Sequence, residues 1–96
     1  MKFKIRWSKS VLTKIDNQRD IIAEDAPNAA KKWVKNVKSK KIMIRDNPFI
    51  GRIVPEFGRA NYREIIIGNY RLAYVVEGEY IDIVEFHSCR ERIEED

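Results

Sequence analysis

The sequence predicts an α+β domain with the element order β-α-α-β-β-β, in which an N-terminal helical hairpin packs on one face of a small, mainly antiparallel sheet. Two observations carry this prediction. Up to about residue 47 the apolar residues recur at helical spacing, and after residue 61 runs of β-formers alternate with tight turns. Neither a repeat nor a Ser/Gly-rich linker interrupts the chain, so residues 1–96 are predicted to form a single domain.

The first strand and the first helix are distinguished by the spacing of their apolar residues. Residues 2–7 alternate polar and apolar side chains, which places the three apolar ones on one face of a short strand. Ser8 or Ser10 then caps a helix that is predicted to run to about Glu24. The apolar residues of these two elements are Phe3, Ile5, Trp7, Val11, Leu12, Ile15 and Ile22.

A second helix is predicted to begin at Pro27. Proline is tolerated in the first turn of a helix, and Asp25 just before it favours the helix N-terminus. Asn47 and Pro48 end this helix, whose exposed face is rich in lysine. The two amphipathic helices therefore form a hairpin. The apolar positions of the second helix are Ala30, Trp33, Val34, Val37 and Ile44.

The last third of the chain predicts a three-stranded meander. A loop with Gly51, Pro55 and Gly58 precedes it, and the turns are predicted at Gly68-Asn69 and Glu77-Gly78. Connections this short require antiparallel neighbours, and the N-terminal strand must join the same sheet to be stable. The predicted strands span residues 62–67, 70–76 and 79–87.

The net charge of +4 is unevenly distributed. Residues 1–47 carry thirteen Lys/Arg and five Asp/Glu, a balance of +8, whereas residues 48–96 carry six and ten, a balance of −4. Every lysine lies in the first part, and the basic residues of the second are all arginines, which make fixed bidentate contacts to phosphate or carboxylate. This distribution favours protein partners over direct nucleic-acid binding.

Cysteine content and hydropathy exclude several classes of protein. The single cysteine, Cys89, excludes an internal disulfide and a cysteine-rich zinc site, and we expect it to be a small packed residue rather than a nucleophile. No apolar run approaches the roughly 18 residues that a membrane span needs. The sequence thus predicts a soluble cytoplasmic protein without a membrane, metal or cofactor requirement.

Several short motifs occur along the chain in a particular order. Trp7-Ser8 precedes the first helix, Asn47-Pro48 precedes Gly51-Arg52, and further motifs lie at residues 21–30, 62–74, 81–84 and 87–90. In this order they resemble the RelE/ParE superfamily of toxins from type II toxin-antitoxin modules, over essentially the whole chain. The Arg63-Glu64-Ile65 and Gly68-Asn69-Tyr70-Arg71 motifs are more similar to the ParE branch than to the ribosome-dependent RelE nucleases.

The resemblance implies a different target for each branch. ParE toxins act on DNA gyrase and block replication, whereas RelE-type toxins cleave mRNA in the ribosomal A site without a metal. In both branches a cognate antitoxin wraps the toxin and holds it inactive. Growth arrest and plasmid stabilization are the associated properties, and DNA is contacted only through the antitoxin complex.

The resemblance also indicates candidate site residues. Arg71 matches the arginine that holds the scissile phosphate in RelE-type nucleases, while the structural alternative is an arginine paired across strands with Glu64 or Glu85. Arg63 and Arg90 match further basic positions of the superfamily. His87 is the only histidine, so an imidazole acid-base step would have to use it; the alternative is a part-packed histidine at a strand end.

Departures from the nuclease pattern favour the ParE branch. Ile65 stands where nucleases often carry a basic residue, no tyrosine follows Tyr80, and the C-terminus after Arg90 is acidic. The leading hypothesis is therefore a non-enzymatic, ParE-like gyrase inhibitor that an antitoxin neutralises. The alternatives are a ribosome-dependent mRNA endonuclease using Arg63, Arg71, His87 and Arg90, and a non-toxic antitoxin-binding homologue.

The lysine-rich second helix allows two interpretations. A solvated polar face is the usual meaning of lysines at helical spacing. The alternative is an electrostatic attractor for an acidic antitoxin, in which Lys31, Lys35 and Lys38 raise the association rate more than the final affinity. Binding of the target or antitoxin is accordingly predicted for these lysines together with Arg63, Arg71 and Arg90.

Overall fold

The computed structural model describes residues 3–89, and these residues form two helices and one five-stranded sheet. The elements are β1 (Lys4–Trp7), α1 (Lys9–Asp25), α2 (Pro27–Asp46), β2 (Arg52–Ile53), β3 (Tyr62–Ile67), β4 (Tyr70–Glu77) and β5 (Tyr80–Ser88). The α+β class and the helical hairpin are confirmed. Neither helix of this described part is long and apolar enough to cross a membrane.

The sheet has the strand order β1-β5-β4-β3-β2. Strands β2 to β5 pair antiparallel, as the short turns require, while β1 pairs parallel with β5 in a register that sets Ile5 opposite Ile81. The N-terminal strand thus joins the predicted meander at its far edge. A bulge at Ala73/Tyr74 interrupts the pairing of β4 with β5.

The helix boundaries follow from their caps. The Ser8 hydroxyl accepts a hydrogen bond from the backbone N–H of Val11 at 3.1 Å, which satisfies one of the unpaired donors at the start of α1. Pro27 occupies the first turn of α2, where its missing N–H costs nothing. Ala26, between the helices, is the only residue outside helical conformation, so the two helices turn directly back on each other.

The core lies between the helical hairpin and one face of the sheet. Val11 of α1 and Val37 and Ile44 of α2 are buried against it. Trp33 packs edge-on against Tyr70 and Phe86, at ring-centroid distances of 6.2 and 6.0 Å. The fully buried strand residues of this core include Ile67, Leu72, Tyr74, Ile81 and Ile83.

The opposite face of the sheet is partly covered by the segment between α2 and β3. Val54 and Ala73 are fully buried there, and the rings of Phe57 and Tyr62 pack beside them, tilted by 53° with centroids 4.5 Å apart. This segment therefore forms a second, smaller core. Its position brings charged residues of the loop over the middle strands.

Four predictions of detail are wrong. The segment predicted as loop contains β2, whose two residues gain strand pairing only from β3. Leu12 is exposed because it lies beside, not on, the buried stripe of α1. The second turn is Gly78-Glu79, one residue later than predicted. Cys89 is exposed because it follows the last strand, where its N–H donates to the Asn69 carbonyl.

Candidate functional site

The Tyr74 side chain hydrogen-bonds the segment between α2 and β3 to the sheet. Its hydroxyl donates to the Pro48 carbonyl at 2.7 Å and accepts from the Gly51 N–H at 3.0 Å. Burial raises the pKa of Tyr74, so the phenol stays protonated and keeps its donor. Gly51 is required at this contact, because a Cβ there would lie 2.5 Å from the Glu64 carbonyl oxygen and 2.7 Å from the Tyr74 hydroxyl.

A buried ion network lies on the sheet face beneath this segment. Glu64, whose side chain is fully buried, accepts from the Nε of Arg71 at 2.8 Å and from the Nε of Arg52 at 2.7 Å. Glu56, from the loop, takes two further bonds from Arg71, both 2.8 Å long. The positive charges of two arginines and the negative charges of two glutamates therefore cancel where β2, β3, β4 and the loop meet.

The environment of Arg71 determines what this guanidinium can do. Its side chain is 8% exposed, and four of its five N–H donors bond to Glu56 or Glu64. The hydrogen bonds that Arg71 donates to Glu56 and to Glu64 raise the pKa of Arg71 above its ordinary value. The predicted pairing with Glu64 is confirmed, and the second carboxylate, Glu56, ties the loop to the sheet.

Arg63 points to the other side of β3. Its Nε donates to the Ala60 carbonyl at 2.7 Å and its guanidinium to the Gly51 carbonyl at 3.1 Å, and it lies over the Phe49 ring at 5.1 Å. Arg63 and Arg71 thus flank the same segment from opposite faces. Arg90 lies outside the described residues.

His87 stands beside Arg71 on the neighbouring strand, in direct register with it. Its Nε2 lies 2.7 Å from a carboxylate oxygen of Glu85, two residues earlier on the same face. The imidazole is partly buried, as the structural alternative for this residue requires. Arg71 and His87 are therefore adjacent, but Arg71 is bound by Glu56 and Glu64 whereas His87 contacts Glu85.

The outer side of the helical hairpin carries a groove of about 520 Å³. Its floor is apolar, whereas its walls carry the long cationic side chains of both helices. Three of them, Lys31, Lys35 and Lys38, are those predicted as binding residues. A fourth cation, Arg19, pairs with Asp16 and Asp20 on its own helix, so the lysines supply most of the positive charge. The floor is formed by Ala23, Pro27, Ala30 and Val34.

The structure brings only some of the predicted residues together. Arg71 and His87 are neighbours on β4 and β5, whereas Arg63 lies on the other face of the sheet and the three lysines line the groove on the outer side of the hairpin. Sequence reasoning missed Arg52, Glu56 and Tyr74. No local pattern singled out Arg52 or Glu56, because β2 has only two residues and Glu56 lies in the loop that follows it.

Comparison with known proteins identifies a protein family and solved structures of similar fold. The family model described as ParE toxin of type II toxin-antitoxin system, parDE, matches residues 5–93. A solved structure, the chromosomal ParDE TA system from P. aeruginosa, contains a chain that superposes with a TM-score of 0.72 at 16% identity, covering 90% of this chain and 95% of that one. No curated protein sequence matches.

Proposed function

Because this chain belongs to the ParE toxin family of type II toxin-antitoxin systems, we propose that it inhibits DNA gyrase in the cytoplasm and that a cognate antitoxin neutralises it. The observation that carries the proposal is the family match over residues 5–93. The engagement of Arg71 by two carboxylates supports inhibition by binding rather than phosphodiester cleavage, since few of its donors remain for a phosphate.

The gyrase assay tests this proposal directly. Purified toxin should inhibit gyrase supercoiling of relaxed plasmid at micromolar concentration, and an equimolar antitoxin should restore the activity. Cells induced to make the toxin alone should stop growing with their transcripts intact. Supercoiling unaffected by the toxin would contradict the gyrase assignment; cut transcripts would indicate the nuclease alternative, and unchanged growth the non-toxic homologue.

The groove between α1 and α2 is the site that we assign to the antitoxin. Its apolar floor suits the small apolar side chains of a helical segment, and its lysines suit acidic residues on either side of them. Exposed charges of this kind act mainly on the rate of encounter. The antitoxin segment is accordingly amphipathic and acidic.

Charge reversal in the groove should slow antitoxin binding. The triple variant with Lys31, Lys35 and Lys38 each changed to Glu is expected to reduce the association rate constant by about 10- to 1000-fold at low salt, because electrostatic steering is reversed. Stopped-flow or surface-plasmon measurements at two salt concentrations give this value. The salt dependence should also change sign.

A matched triple variant keeps the total charge change constant. Lys4, Lys9 and Lys32 are exposed and do not line the groove, so their replacement by Glu should change the rate far less. Equal effects of the two triples would show that net charge, and not the groove, governs association.

A further inference from the structure

Five exposed apolar side chains are concentrated at the end of α2 and in the segment that follows it. They are five of the eight large hydrophobic residues that are exposed within residues 3–89, and their exposed fractions are 36–51%. We call them the edge patch: Ile42, Met43, Phe49, Ile50 and Ile53.

Local contacts join the members of the edge patch. The Asn47 N–H donates to the Met43 carbonyl, and the Ile50 N–H donates to the Asn47 carbonyl, so the chain turns tightly at the helix end. Phe49 lies under the Arg63 guanidinium, and Ile53 is the strand partner of Arg63. Phe49, Ile50 and Ile53 therefore lie on β2 or just before it, and the turn at Asn47 connects them to the end of α2.

The backbone of β2 is oriented for pairing on its outer edge. Val54 donates its N–H to the Tyr62 carbonyl, which makes this a hydrogen-bonded pair with β3. Hydrogen-bonded and non-hydrogen-bonded pairs alternate in antiparallel ladders, so the N–H and C=O of Ile53 point away from β3. An edge strand of this kind is a template for another strand.

Few charges lie at the edge patch. Arg45 pairs with Asp46 at 3.3 Å and Arg52 with Glu64 at 2.6 Å, and no lysine lies between residues 42 and 53. Arg63 lies over Phe49 and donates to the Ala60 and Gly51 carbonyls, without a carboxylate partner among residues 3–89. A second copy therefore presents an equally apolar face, with the Arg63 of each copy beside it.

The size of the patch fits a small dimer interface. Five side chains of about 200 Å² each, exposed by the fractions above, present on the order of 400 Å² of apolar surface. A standard interface buries about 800 Å² per partner, of which about 56% is apolar. The edge patch supplies that apolar share.

We propose that two copies of this chain associate about a twofold axis through Ile53, with β2 pairing antiparallel to β2 of the second copy and the two edge patches in contact. Ile53 then donates to and accepts from its symmetry mate. None of the five edge-patch residues lines the groove between α1 and α2, so we expect the groove to stay open in this dimer.

Sedimentation equilibrium of the purified chain tests the dimer. Over roughly 1 to 200 μM, which brackets micromolar dissociation constants, the wild-type chain should convert from monomer to dimer. Ile53→Glu should weaken association at least about tenfold, because the substitution appears twice across the axis. Ile21→Glu is the matched control: Ile21 is 58% exposed on α1, outside the patch, and its variant should dimerise normally.

Mixing variants tests the symmetry. Ile53→Glu and Ile53→Lys should each be monomeric, with wild-type circular dichroism, and their equimolar mixture should recover a dimer. A wild-type chain that stays monomeric throughout would overturn the proposal, as would dimerisation insensitive to residue 53. A monomer whose Ile53→Glu variant fails to bind antitoxin would assign the patch to the antitoxin instead; none of these readouts depends on gyrase.

Discussion

Replacing Glu64 with alanine should lower the free energy of unfolding by about 3–5 kcal/mol, because it removes one partner of a buried ion network and leaves Arg71 with an uncompensated charge. Glu64 is fully buried and holds Arg71 and Arg52 together. Urea denaturation at pH 7, followed by circular dichroism, measures this difference. Glu64→Gln keeps the volume and one acceptor, so its loss should be smaller.

An exposed ion pair of the same type serves as the control. Asp82 accepts two bonds from Arg6, at 2.6 and 2.9 Å, but the guanidinium is open to solvent. The bond from Arg6 lowers the pKa of Asp82, so its contribution is complete above about pH 3.9 and is lost only as the pH falls through the lower folded value. Asp82→Asn at pH 7 should therefore cost far less; equal losses would refute the role of burial.

Replacing Gly51 with alanine should cost about 3 kcal/mol, the upper end of the range for overpacking. The added Cβ would meet the Glu64 carbonyl oxygen at 2.5 Å and the Tyr74 hydroxyl at 2.7 Å, and both atoms are held by the sheet. The loop must then move away and lose its bonds to Tyr74. Thermal and urea unfolding of the variant give the value.

Two companion variants separate crowding from backbone effects. Gly58→Ala meets no atom within 4 Å, so its cost is only that of a positive φ of 63°, about 1–2 kcal/mol. In a Tyr74→Phe background Gly51→Ala should be less damaging, since one of the two obstructing atoms is gone. Additive losses would show that Tyr74 does not confine Gly51.

Local patterns account for the elements that were predicted correctly. Polar and apolar residues alternate in residues 4–7, apolar residues recur at helical spacing in both helices, and short turn motifs separate the later strands. Each of these patterns depends only on its own segment. Strand β2 has only two residues, too few for a period, and exists because β3 supplies its pairing. The parallel contact of β1 with β5 likewise depends on the whole sheet being assembled.

Residues of the candidate site could be predicted only where the side chains of a single helix or strand share one face. The three lysines of α2 share one helical face. The sequence therefore predicted the positive charge of the groove that they line. Its floor was predictable only in part, because Ala30 and Val34 belong to the apolar pattern of the second helix, whereas Ala23 and Pro27 do not. The second carboxylate on Arg71 comes from Glu56 in a loop, whose position no periodicity specifies.

The pairing of β1 with β5 also constrains how the chain folds as it is synthesised. Lys4 lies opposite Tyr80, so the N-terminal strand waits for 76 further residues before its partner leaves the ribosome. At ordinary translation rates this delay is roughly 4 to 15 s. During that time the apolar side chains of β1 have only the helices to cover them. The complete sheet can form only once β5 has emerged, so no partner can bind the finished sheet before then.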